Sequence, residues 1–100
     1  MSNSQTKAIN SYSQSLFELA KESSLLDEIE AQAKSLYSVI KDSQDFSTFL
    51  KDPTFKQDKQ LEIFSAIFEK VKLNSLFIKF IKFLIYKRRI FFLKNILNDF

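Results

Sequence analysis

The side chains able to do chemistry in this chain are carboxylates, lysines, arginines, hydroxyls and three tyrosines; histidine, cysteine and glycine are all absent. That removes the commonest general base, the most nucleophilic side chain and the usual zinc ligands. It also removes the glycine-rich loop that lets a backbone cradle phosphate. The nearest approach to a metal or acid–base set is the pair of acidic runs Asp27-Glu28-x-Glu30 and Asp42-x-x-Asp45. Both are expected at helix starts, where carboxylates are electrostatically favoured, and no histidine or third carboxylate group completes either one. Serine and lysine nucleophiles are present, but nothing pairs them with a base. The chain is expected to bind rather than catalyse, with no cofactor and no metal.

The strongest charged cluster is Lys87-Arg88-Arg89. Residues 1–72 carry nine lysines against eleven acids, net −2, whereas residues 73–100 carry six basic residues against Asp99 alone, net +5. A basic end of this kind suits an acidic partner, an anionic membrane surface or nucleic acid. Three consecutive charges with only Tyr86 beside them make a weak nucleic-acid footprint, and no RNA- or DNA-binding motif surrounds them. No apolar run approaches the ~20 residues of a membrane span, because lysines and arginines interrupt the stretch from Leu76 to Leu97. The opening residues show neither a secretory apolar run nor the arginines of a transit peptide, which favours a bacterial setting.

The elements that must position these residues are helical. Apolar residues make up 45% of the chain, two valines and a single proline leave little strand or hairpin signal, and none of the turn dipeptides of hairpins occurs. The reading is an all-α, compact bundle of about six short helices around one core, a single domain over residues 1–100. A first helix is expected from about Gln5 to Lys21. Ser24, three residues before Asp27, is expected to cap a second in which Leu26, Ile29, Ala33, Leu36 and Ile40 recur at spacings of three and four. Ser43 caps a third helix carrying Phe46, Phe49 and Leu50, and Pro53 ends it by disfavouring helical geometry at Asp52. A fourth runs from Phe55 or Asp58 to Lys70, with Leu61, Phe64, Ile67, Phe68 and Val71 inward. Asn74 caps a fifth, Ser75 to Lys87, so apolar that it is expected to be the central, buried helix. A sixth begins near Arg89 or Ile90.

Several stretches resemble one family in order and spacing. Tyr12-Ser-Gln-Ser-Leu-Phe-Glu-Leu-Ala-Lys21 is similar to the Tyr-Ala-x-Ala-Leu-Phe-x-Leu-Ala opening of the delta subunit of F-type ATP synthase, whose mitochondrial counterpart is the oligomycin-sensitivity-conferring protein. Leu26-Asp-Glu-Ile29, Phe49-Leu-Lys-Asp-Pro53 and Ile90-Phe-Phe-Leu93-Lys-Asn-Ile96 sit where that family has similar words. Two departures stand out. Tyr86-Lys-Arg-Arg89 replaces the family's Glu-Asn-Gly-Arg turn, and Ser13 and Ser15 replace small alanines. The resemblance covers the family's N-terminal domain; its C-terminal segment, which meets the b subunits of the peripheral stalk, is absent from these 100 residues.

The resemblance implies a non-catalytic stator domain. It would bind the N-terminal helix of the alpha subunit on top of the catalytic head, in a groove between the first and fifth helices. Membership of a peripheral complex on the cytoplasmic side of the bacterial inner membrane, supporting proton-driven ATP synthesis, would follow. The domain would be monomeric, with no nucleic-acid partner and no direct membrane insertion.

The residues point the same way independently. The apolar arc of the first helix is wider than one packing partner requires. Ile9, Leu16 and Ala20 lie at its centre, while Ala8, Tyr12, Ser15 and Leu19 lie along one flank. On the fifth helix Phe83 sits at the edge between apolar and basic sectors. Tyr12 and Phe83 are expected to floor a groove rimmed by Lys79 and Lys82, the usual way an amphipathic helix is received. Aromatic stripes at helical spacing are more often core, and exposed lysines more often merely solvated. The alternative function is a small basic helical module that binds RNA or an anionic membrane through residues 79–94.

Overall fold

A computed structural model describes residues 3–100, with side chains from residue 5 onward. Six helices follow one another in the order α1 (Asn3–Glu22), α2 (Leu26–Asp42), α3 (Gln44–Lys51), α4 (Gln57–Lys70), α5 (Ser75–Tyr86) and α6 (Leu93–Asp99), the last entered through a 3₁₀ turn at Ile90–Phe92. There is no strand among the described residues. The radius of gyration, 12.9 Å, matches the ~13 Å of a compact 100-residue domain.

The core follows the helical periods. Ile29, Ala33, Leu36 and Ile40 of α2 are all buried, as their spacing requires. α6 packs between α1 and α2 through Leu93, Ile96 and Leu97. Of the residues expected inward, Phe64 on α4 is wholly buried, Leu61, Ile67 and Phe68 are partly buried and pack against the core, and Val71, just past the helix, is partly buried; Gln60 is buried as well. Phe64 and Phe49 anchor an aromatic cluster with Phe46, Phe55 and Phe68, whose neighbouring ring centroids lie 4.8–6.1 Å apart. Tilted and edge-on pairs of this kind add to simple area burial.

Helix ends are fixed by polar side chains. Ser43 Oγ accepts from Phe46 N at 3.2 Å to start α3, and Pro53 follows the extended Asp52 that ends it. Asn74 caps α5 by accepting from Leu76 N at 2.9 Å. The same residue ties α5 to α2: its amide donates to Glu28 Oε2 at 2.7 Å, and its backbone N–H donates to Gln32 Oε1 at 2.8 Å. Gln57 Nε2 reaches the carbonyls of Ile85 and Tyr86 at 3.2 and 3.1 Å, which ties the start of α4 to the end of α5.

Two expectations are corrected. Ser24 caps nothing: α2 starts from Leu25 without a side-chain bond. Ser24 instead takes φ 57°, and the bonds Ser24 N to Lys21 O (3.1 Å) and Leu25 N to Ala20 O (2.8 Å) close α1 in a Schellman motif. Asp42, expected at a helix start, is the last residue of α2.

The glycine-free turn after α5 closes in the same way. Arg88 takes φ 58°, with Arg88 N bonded to Ile85 O (3.0 Å) and Arg89 N to Leu84 O (2.7 Å). Both left-handed positions, normally the province of glycine, are held by residues with a Cβ.

Candidate docking cleft

The flank of α1 and the edge of α5 meet along an open cleft of about 530 Å³. From α1 come Ser11, Tyr12, Ser15 and Leu19; from α5 come Leu76, Lys79, Phe80 and Phe83. Each wall repeats at helical spacing: Tyr12, Ser15 and Leu19 at i, i+3 and i+7, and Leu76, Lys79, Phe80 and Phe83 at i, i+3, i+4 and i+7. Rows of this kind lie along one helix face, so both walls follow their helix axes.

The walls are seated from behind. Leu16 and Ala20 on α1 and Phe77, Ile81 and Leu84 on α5 are fully buried, which fixes the rotation of both helices and turns the cleft residues outward. At the junction the Tyr12 and Phe83 rings meet edge to face, with centroids 6.3 Å apart. Leu19 and Phe83 remain 45% and 44% exposed. Apolar side chains left that open, side by side on two packed helices, mark an interaction surface better than isolated exposed residues do.

The expected groove residues are thus partly assembled. Tyr12, Ser15, Leu19, Lys79 and Phe83 line the cleft; Ala8 packs half-buried against the core, and Lys82 is half-buried outside the lining. Ser11, Leu76 and Phe80 complete the walls. α5 is therefore not enclosed on all sides as its apolar sequence suggests, since one edge faces the cleft. Phe80 is 6% exposed and belongs to the core as well, so the apolar stripe that assigned it inward was right about burial and silent about its second role.

The basic cluster is engaged in the turn that follows. Lys87 Nζ stands 5.7 Å from the Phe83 ring centroid, within cation–π range. Arg89 Nη1 donates to the carbonyls of Lys87 and Arg88 at 3.2 and 3.3 Å. A perturbed ionisable group lies elsewhere. Asp52 accepts from Thr54 Oγ1 (2.6 Å) and Thr54 N (2.9 Å), which holds its carboxyl below the usual range. No group of three or more potential metal ligands converges among the described residues. No helix among them is long and apolar enough to cross a membrane.

A small all-α domain with an open cleft between its first and fifth helices is the class that fold and cleft define. The chain belongs to the ATP synthase delta (OSCP) subunit family, whose model matches residues 9–100. It is 46% identical over 89 residues to the ATP synthase subunit delta of Pelagibacter ubique (strain HTCC1062), a match spanning 89% of this chain and 48% of that protein. Identity to the subunit delta of Beijerinckia indica is 35%, over 89% of this chain and 47% of the relative. The chloroplastic subunit delta of Cyanidium caldarium is 33% identical, over 91% and 49% respectively. The chain thus spans about half the length of the curated relatives it matches. No solved structure matches it at the same stringency.

Proposed function

We propose that this chain is a non-catalytic peripheral-stalk domain of an F-type ATP synthase, and that it receives the N-terminal helix of the alpha subunit in the α1/α5 cleft. Family membership supports the stalk role. The observation that carries the docking is the pair of half-exposed apolar residues, Leu19 and Phe83, on facing walls of one open cleft. An amphipathic helix presents anchors at i, i+3, i+4 and i+7, the period that both walls repeat. In this role the domain holds the catalytic head against rotation from the cytoplasmic side of a bacterial membrane, without entering the bilayer and without nucleic acid. Contacts to the b subunits belong to the segment that the longer relatives have beyond the matched half.

The test is a calorimetric titration with a synthetic N-terminal peptide of the alpha subunit, beside a scrambled peptide and the Tyr12→Ala variant. Saturable binding lost in both controls supports the docking. Absence of binding by the folded domain overturns it, and would direct attention to anionic vesicles and RNA as ligands of residues 79–94.

A further inference from the structure

Phe83, the most open aromatic of the cleft, is bracketed by two cations on its own helix. Lys79 lies four residues before it and Lys87 four residues after, so all three fall along one row of α5 and its C-cap. Lys87 Nζ already stands 5.7 Å from the Phe83 ring. Neither lysine has a carboxylate partner: the only ion pair among the described residues is Lys59–Glu62, on α4. Nor does the local sequence supply one, since no acid occurs between Lys70 and Asp99.

The opposite wall carries no cation of its own. Ser11, Ser15, Glu18 and Glu22 follow one another at i, i+4, i+7 and i+11, a single row along the outer side of α1. Glu18 is held there by Gln14 Nε2 at 3.2 Å. Neither glutamate lines the cleft, and Lys7, four residues before Ser11, stands on the same row, so the charged rim of the cleft itself is the cationic edge of α5.

We propose that Lys79 and Lys87 form a two-point carboxylate clamp. It selects an amphipathic helix whose α5-facing flank carries two acidic residues about two turns apart, with an apolar anchor between them on Phe83. The eight residues from Lys79 to Lys87 rise ~12 Å along the helix, which matches carboxylates seven or eight positions apart on a helix lying alongside. Rim charges of this sort act chiefly on orientation and encounter rate. This inference rests on the docking function proposed above and adds the charge pattern of the ligand to it.

The experiment uses three synthetic leucine-striped amphipathic peptides, identical except at two flank positions seven residues apart, which are both Glu, both Gln or both Lys. Affinity and association rate are measured at low and high salt for the 100-residue chain and for its Lys79→Gln/Lys87→Gln variant, whose thermal midpoint is checked alongside. The expected order is Glu over Gln over Lys, with roughly tenfold between the first two at low salt and a gap that closes as salt rises. In the double variant the ratio between the Glu and Gln peptides falls to about one, whatever change in affinity the three peptides share. Equal affinities for the three peptides, or a preference that survives in the double variant, overturns the clamp and leaves helix docking standing. Binding of none of the three overturns the clamp as well, and the alpha-subunit peptide then decides whether the docking function falls with it.

Discussion

Tyr12 of α1 and Phe83 of α5 meet edge to face, with ring centroids 6.3 Å apart, at the floor of an otherwise open cleft. The contact joins two helices whose buried sides face the same core. It leaves Tyr12 partly buried against the core and nearly half of Phe83 uncovered. Phe83, placed this way, is expected to contribute less to holding the domain together than the buried phenylalanines do.

Truncating Phe83 tests this expectation. Phe83→Ala is expected to cost about 1 kcal/mol of stability, since nearly half of the residue is already exposed. Phe77→Ala, at a fully buried position on the same helix, is expected to cost about 3–5 kcal/mol. Urea unfolding of the two variants reads the difference, and equal losses would place Phe83 in the core.

The two left-handed residues are candidates for gain rather than loss. Ser24→Gly and Arg88→Gly remove a Cβ from φ 57° and 58°, and each is expected to stabilise the fold by about 1 kcal/mol. A rise in the urea midpoint at unchanged slope is the signature. A fall at either site would mean that the side chain's own contacts outweigh the backbone strain.

Asn74→Ala removes the helix cap and the side-chain bond to Glu28 while keeping the backbone bond to Gln32, so it should cost more than an ordinary cap, about 2 kcal/mol. Asn74→Asp keeps the capping oxygen but sets a carboxylate beside Glu28, and should recover only part of the loss. The comparison is made by thermal unfolding.

The Asp52 carboxylate accepts first from the Thr54 hydroxyl and then from the Thr54 amide, and both bonds lower its pKa below 3.8. A depressed folded-state pKa gives stability that is present above the unfolded value and lost as pH falls through the folded one. Carboxyl NMR should therefore show Asp52 titrating below 3.8, and Thr54→Val should move it part of the way back, because the amide bond survives. The part of the stability difference between wild type and Thr54→Val that depends on the Asp52 charge should fade as pH drops below both values.

Much of this fold is legible in the sequence wherever one periodic face meets one core. Ile29, Ala33, Leu36 and Ile40 announce their burial by spacing alone, and Ser43, Pro53 and Asn74 set boundaries through chemistry that acts over two or three residues. Ser24 misleads because serine suits both the start of one helix and the left-handed end of another. Without a glycine to mark the latter, local composition does not separate them. The cleft was half readable for a related reason. Tyr12, Leu19 and Phe83 stand at the margins of apolar stripes, where excess width shows, whereas Leu76 and Phe80 lie within a stripe and reveal their outward edges only once α1 is in place. The bond from Ser13 Oγ to Asp99 Oδ2, at 2.6 Å, has no local signal at all, as 86 residues separate its ends.

That last bond accompanies the packing of α1 against α6, and it bears on how the domain is made. A ribosome delivers α1 first and α6 last among these helices, at about 5–20 residues per second. For several seconds the nascent chain carries Leu16 and Ala20 on a helix whose main partner does not yet exist. Chaperone occupancy on translating ribosomes should therefore peak before residues 93–99 emerge, and fall once they do.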